Sequence, residues 1–191
     1  MNRLAVQGPR IRLLPFAERF LTQRYVDWLN DPDLMRFSEQ RHRRHTMASN
    51  AEYVRSFDQP NRYLWAIIDR DDELHVGNVN AYVDANNGVA DIGLLIGERG
   101  RQGRGLGAEA WMGAIHALFL GAGVRKITGG CAALNLAMIR IMQSAGMVED
   151  GTRRAHVVID GIAVDVVHRA LFRDSFRHDK RFTVTSGSLS L

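Results

Sequence analysis

The spacing of hydrophobic positions switches repeatedly between two periods along this chain. Residues 11–16 alternate as a strand does, with Pro15 ending it early. Over 18–29 the spacing becomes helical: Leu21, Tyr25, Trp28 and Leu29 share one stripe, and Asn30-Asp31-Pro32 stops the helix. Thr46 or Ser49 caps a second helix that runs to about residue 57. Residues 63–69 and 75–84 read as strands joined by the charged turn Arg70-Asp71-Asp72-Glu73, and Asn86-Asn87-Gly88 marks a further turn. In the strand over 89–96, Ala90, Ile92, Leu94 and Ile96 form an apolar face. Asp91, Gly93, Leu95 and Gly97 form the other, where two glycines leave room for something to lie against it.

A helix over 108–120 turns Trp111, Ala114, Ile115 and Leu118 inward and ends at Gly121 or Gly123. A strand follows over 124–131. Asn135 then caps a helix with Met138, Ile141, Met142 and Ala145 on one stripe, closed by Gly146. Residues 155–159 and 162–167 flank the hairpin turn Asp160-Gly161, and the pair continues to about 172. This order predicts an α/β (α+β) fold, a mixed sheet with helices on both faces. One domain is expected over 1–175. The tail over 176–191 is Ser/Gly-rich from about Thr183 and expected to be frayed.

Between the 89–96 strand and the helix after it lies Gln102-Gly103-Arg104-Gly105-Leu106-Gly107. Glycines just before a helix leave backbone N–H groups bare and approachable, with the positive end of the helix dipole behind them. Such an entrance is a cradle for phosphate, and Arg104 adds a full charge. A plain Gly-rich surface loop is the alternative; the strand before and the helix after favour a pyrophosphate site. Gly105-x-Gly107-x-x-Ala110 also fits a dinucleotide fingerprint, but that motif belongs at the first strand of a βαβ unit with an acidic ribose ligand downstream. Here the following strand carries Arg125 and Lys126 instead. A P-loop is excluded by the missing Gly-Lys-Ser/Thr.

The 191 residues suffice for one domain with a core, and 46% hydrophobic with 24% charged residues is ordinary for a soluble chain. No apolar run is long enough to span a bilayer, and no secretory segment follows Met1-Asn2-Arg3, so a cytoplasmic protein without a membrane partner is expected. A single cysteine, Cys131, excludes an internal disulfide framework and a Cys-clustered zinc site. The histidines show no metal spacing. A formal net charge of +4 favours acidic ligands. Arg36, Arg41, Arg43 and Arg44 cluster with His42 and His45; this is either a solvated loop or a clamp for an anionic acceptor. Without interleaved aromatic platforms, nucleic acid is not an expected partner.

Gln102-x-x-Gly105-x-Gly107 resembles the acetyl-coenzyme A signature of the GNAT acyltransferase superfamily. Asn135 with Ala145-Gly146-Met147 resembles its second signature, with Met147 in place of the usual aromatic. Trp28-Leu29-Asn30-Asp31-Pro32 and the Asp160-Gly161 hairpin are similar to the branch holding ribosomal-protein N-terminal, polyamine and nucleotide-sugar acetyltransferases. The resemblance covers roughly residues 10 to 173. It implies a sheet of about seven strands in which two strands, ending at Ile96 and starting near Val124, splay apart to hold coenzyme A. Backbone groups of Leu94, Leu95 and Ile96 would then hold the pantetheine arm, and Gln102, Gly103, Arg104, Gly105, Leu106, Gly107 and Ala108 the pyrophosphate, while Asn135 orients the thioester.

The chemistry so implied is acetyl transfer from acetyl-CoA to a primary amine by direct attack. An alkyl amine with a pKa near about 10.4 must lose a proton first. Asp91 is the candidate base; its other reading is a strand-edge charge paired with an arginine. A backbone N–H near Leu95 could meet the oxyanion. Relatives protonate the departing thiolate with a tyrosine seven residues after the asparagine; here that position is Met142. Cys131 reads as a packing residue rather than a nucleophile. Arg41 and Arg43 point to an anionic small-molecule amine such as a nucleotide-linked amino sugar, with a protein N-terminus or a polyamine as alternatives. A non-catalytic acyl-CoA sensor is the alternative of another class. Either a monomer or a homodimer fits.

Overall fold

The computed structural model describes residues 4–186. Strands β1 (Leu4–Gln7) and β2 (Ile11–Pro15) form an opening hairpin; helices α1 (Gln23–Asn30), α2 (Pro32–Met35) and α3 (Met47–Arg55) follow. Then come β3 (Arg62–Asp69), β4 (Leu74–Asp84), β5 (Val89–Ile96), α4 (Leu106–His116), β6 (Lys126–Ala132), α5 (Leu136–Ser144), β7 (Val148–Ile159), β8 (Ile162–Phe172) and β9 (Thr183–Ser186). One sheet contains all nine strands in the order β7-β8-β6-β5-β4-β3-β2-β1-β9. Among the described strands only β5 and β6 run parallel.

The mixed sheet with helices on both faces is as expected, but it has nine strands rather than about seven. The additions are β1 and β9, which pair with each other at one edge. Thr183–Ser186 is therefore a strand, not a frayed end; residues 187–191 of the expected tail lie outside the described residues. Its anchor is non-local. The Asp179 N–H donates to His116 Nε2 (3.0 Å) and the neighbouring Phe182 ring stacks on the same imidazole.

The expected first helix splits. Glu18–Phe20 is a 3-10 turn, and α1 starts where the Thr22 side chain accepts from the Tyr25 N–H. Asp31 ends α1 and caps α2, with Pro32 at its first position, a short helix that the spacing does not announce. Thr46 and Ser49 both cap α3, each accepting from the other's backbone N–H.

The main core lies between the sheet and α4–α5. Leu13, Ile67, Val79, Ala90 and Ile92 meet Trp111, Ala114, Ile115 and Leu118 there. Met147 occupies the aromatic's place and accepts the Trp111 indole N–H on its Sδ at 3.3 Å. The opposite face of β4 carries Asn78, Asn80 and Tyr82, which share one cleft with Tyr25 of α1 and with Asn50 and Tyr53 of α3.

Candidate active site

The glycine loop is built to leave amides free. Gly105 caps α4 at φ 83°, a left-handed backbone conformation that glycine adopts without the strain a side chain would bring. The Gln102 N–H is used by Arg99 O and the Glu109 N–H by Gly105 O. Between them, the N–H groups of Gly103, Arg104, Gly105, Leu106, Gly107 and Ala108 donate to no acceptor among the described residues. Six consecutive bare amides at the start of an 11-residue helix fit a diphosphate. The Gln102 side chain ties the loop to the strand end, donating to Ile96 O at 3.0 Å. The Arg104 side chain stays in solvent.

Two residues absent from the sequence reading set this geometry. Arg10 Nη1 donates to the Arg104 carbonyl (2.9 Å), which turns that oxygen away from the cradle. Glu109, in the first turn of α4, holds Arg10 by its N–H (2.7 Å) and Nε (2.9 Å) and also accepts from the Ile11 N–H (3.1 Å). Neither had a local signal, because the β1–β2 turn lies more than ninety positions from the loop. The 3-10 turn Arg99–Arg101 before the loop is bolted on two sides, Arg99 to Asp31 and Asp33, Arg101 to Asp69 and Asp72.

β5 and β6 pair only through Val89, Ala90 and Asp91, then separate. The pleat decides which backbone groups face the gap. The Ala90 carbonyl faces β6, 3.2 Å from the Thr128 hydroxyl oxygen, while the Gly97 N–H donates to Val76 on β4. By alternation Leu94 and Ile96 present their backbone groups to the gap. Leu95 turns its carbonyl to β4, where a Cβ at Gly77 would collide with it. The three residues of the expected contact thus divide: Leu94 and Ile96 face the gap, and Leu95 lies within the ladder.

A cleft of about 560 Å³ passes through the gap and is lined by Leu94, Leu95, Trp111, Cys131 and Asn135. Asn135 caps α5, accepting from the Met138 N–H at 3.1 Å. Burial pushes the Cys131 thiol up to about 11, so it is no thiolate nucleophile at neutral pH. Met142 is fully buried in the core and stands outside the cleft.

Away from the gap the cleft is walled by Asn78, Asn80 and Tyr82 of β4, Tyr25 of α1, and Asn50 and Tyr53 of α3. Burial holds both the Tyr25 and Tyr53 phenols well above their ordinary pKa, with the nearby Tyr82 adding to it. The space left by Gly93 and Gly97 is filled by the protein itself. The Asn80 amide lies over Gly93, and the Trp28 ring lies on Gly97, where any Cβ would strike it.

The arginine cluster divides by role. Arg36 binds Asp160 at the β7–β8 turn (2.7 Å), and Arg41 is spent on Ser38 O, Glu39 and Val158 O. Arg43, Arg44 and His45 line the cleft, so the basic wall is Arg43–Arg44 rather than Arg41–Arg43. Asn30 pins this loop, exchanging hydrogen bonds of 2.9 Å with the backbone of His45 in both directions. Among the described residues no aspartate or glutamate lines the cleft.

Asp91 stands at the vertex, the last paired position of β5 and β6, opposite Tyr82 on β4. Desolvation raises its pKa although its outer edge stays open; a 2.7 Å hydrogen bond from the Thr128 hydroxyl, then the charges of His168 and Arg153, pull it down. It borders a neighbouring pocket with Asn87 and Arg125, and Tyr82 borders both.

No curated protein matches the chain in sequence. Solved structures match its fold. A GNAT-family acetyltransferase from Bacillus anthracis superposes with a TM-score of 0.76 at 15% identity, covering 89% of this chain and 99% of that one. Spermidine N-acetyltransferase from Vibrio cholerae, in complex with CoA and spermine, gives 0.78 at 16%, covering 87% and 97%. The microcin C7 self-immunity acetyltransferase MccE, in complex with acetyl-CoA and AMP, gives 0.74 at 14%, covering 86% and 93%. Residues 10–148 match the model of the acetyltransferase (GNAT) domain. With that match over most of its length, the bare amides and the splayed strands in their places, the chain belongs to the GNAT acetyltransferases, enzymes that draw an acetyl group from acetyl-CoA.

Proposed function

We propose that the protein transfers acetyl from acetyl-CoA onto the primary amine of a small acceptor that carries negative charge. The observation that carries this reading is the cleft's charge: Arg43, Arg44 and His45 on its wall and no carboxylate among its described lining residues. A polyamine would bring several positive charges to that wall with nothing to neutralise them. The same wall, with burial, disfavours the ammonium form of the arriving amine and so helps it shed its proton.

In this reading the six loop amides hold the diphosphate, and Leu94 and Ile96 hold the arm as an added strand would. The neutral amine attacks the thioester carbonyl from the α1–α3 side. The gap-facing Leu94 N–H meets the oxyanion, the C–N bond forms and the C–S bond breaks. Asp91 accepts the proton, through Tyr82 or water, and the thiolate is reprotonated from solvent, since Met142 supplies no acid. A thiol ionising near about 8.5 is a leaving group good enough for that.

The test is an acceptor screen by free-thiol release with nucleotide-linked amino sugars, other anionic amines, polyamines and short peptides. The expected result is turnover with an anionic amine, and an acceptor KM about 5–10-fold higher in Arg43→Ala with an unchanged KM for acetyl-CoA, the loss of one charged contact. Preference for spermidine overturns the charge argument. Binding of acetyl-CoA without any turnover makes the protein a sensor.

A further inference from the structure

Two side-chain amides on the acceptor wall have donors and nothing to give them to. Asn50 of α3 is 1% exposed and Asn78 of β4 is 6% exposed, and the Nδ2 of each lacks a hydrogen-bond partner. Both residues line the cleft. A buried donor without an acceptor is costly and rare, and two in one cleft call for a ligand group that completes them.

The direction of Asn78 is set from behind. His75 is packed among the rings of Phe16, Phe20, Tyr25 and Trp28, and burial holds its imidazole neutral. Its Nε2 lies 3.0 Å from Asn78 Oδ1; as the Nε2–H tautomer it donates there, and the Asn78 NH₂ faces away from it. The phenols of Tyr25 and Tyr53, kept protonated by burial, complete a wall rich in donors. Asn78 pairs with Leu95 across the β4–β5 ladder, next to Leu94 on the gap. What the wall reads therefore sits beside the reacting amine.

We infer that Asn50 and Asn78 form an oxygen-reading subsite. The acceptor presents a hydrogen-bond-accepting oxygen, from a carbonyl, carboxylate or sugar hydroxyl, close to its amino group, and a diamine of the same size is rejected because it leaves both amides unpaired. This rests on the acetyl-transfer reading above and adds a feature distinct from the charge of Arg43 and Arg44. His75 is a positioning residue that acts through Asn78.

The experiment uses the full chain and pairs of primary amines of matched size, one member of each with an oxygen near the amine and one without. Alaninamide with 1,2-diaminopropane and a 2-amino sugar with its deoxy-diamine counterpart are two such pairs. Wild-type protein should favour the oxygen-bearing member at least about tenfold in kcat/KM, the discrimination of a site with unpaired polar groups. Asn50→Leu, of similar shape, should keep or raise Tm and abolish that preference, since no native hydrogen bond of its amide donor is lost. Asn78→Asp should move the preference toward the diamines. Retention of the preference in both variants, or a wild-type preference for the oxygen-free member, overturns the subsite. A fall in Tm for Asn50→Leu with an unaltered preference assigns the amide a structural role instead. Acetyl-CoA binding, followed by calorimetry in every variant, separates this from failure of the parent reading: no heat, or heat with no turnover of any amine, removes both.

Discussion

Removing the Glu109 carboxylate should unfasten the diphosphate loop and weaken the fold together, while removing Arg10 should do only the first. Glu109 is 8% exposed in its side chain and Arg10 51%. In Glu109→Ala the Ile11 N–H loses its acceptor, and Ile11 is fully buried, so the loss is about 1–3 kcal/mol. The Arg10 groups can turn to water and add little. An acidic residue lost from the first turn of α4 adds about 0.3–1 kcal/mol. The sum, about 1.3–4 kcal/mol, corresponds to a Tm lower by roughly 3–16 °C for a chain of this size. Arg10→Ala breaks a half-exposed ion pair worth about 0–1 kcal/mol and should move Tm by less than about 3 °C. It also frees the Arg104 carbonyl to rotate into the cradle. Losing one charged hydrogen bond of about 1 kcal/mol there raises Kd for acetyl-CoA about fivefold. Thermal melts and titration calorimetry with acetyl-CoA read the two quantities separately. A Glu109→Ala melt within about 2 °C of wild type, or an Arg10→Ala protein that binds acetyl-CoA at full affinity, refutes the brace.

Other outcomes follow from the same structure. Asp91→Asn should lower kcat about 10–100-fold near neutral pH with partial recovery at high pH; in the wild type the base limb should lie above the ordinary carboxylate value of 3.8. A variant with the wild-type pH–rate profile retires Asp91 as the proton acceptor. His116 is held below its ordinary 6.5, first by burial, so the unfolded chain binds its proton more readily. Its contribution is complete above about 6.5 and lost as pH falls through the folded value, and hydrogen exchange should show the Asp179 amide and β9 loosening in that window before the rest of the sheet. An acid transition of β9 that persists in His116→Gln refutes that assignment. Gly97→Ala drives a methyl into the buried Trp28 ring and should lower Tm by roughly 3–10 °C, with an unchanged melt as the contrary result.

Much of the fold was readable because its determinants are local. The alternation over β5 and the stripe of α4 set burial directly, and the glycines before Leu106 mark the one place where amides must stay bare. The run of free amides over Gly103–Ala108 was legible for that reason. β1 and β9 were not: both are only four residues long, and although β1 makes a local hairpin with β2, the partner of β9 among the described residues lies at the other end of the chain. The division between Arg41 and Arg43 was equally hidden. Two residues in the same charged run part ways because Arg41 is taken up by Ser38, Glu39 and the carbonyl of Val158, the last more than a hundred positions away, while Arg43 lines the cleft. The acceptor wall is the least legible part: Asn50 lies on a helix and Asn78 on a strand, each an unremarked polar residue until the chain brings them to one surface.

Within four residues at the end of α1, Trp28 rests on Gly97, Asn30 grips the backbone of His45, and Asp31 grips Arg99. One short segment is thus fastened both to the cleft wall at His45 and to the turn that precedes the glycine loop. On the proposed function, either substrate is expected to order a segment that the other also uses. Linkage requires the benefit to be mutual and equal, so acetyl-CoA should sharpen affinity for the amine by the same factor as the amine sharpens affinity for acetyl-CoA.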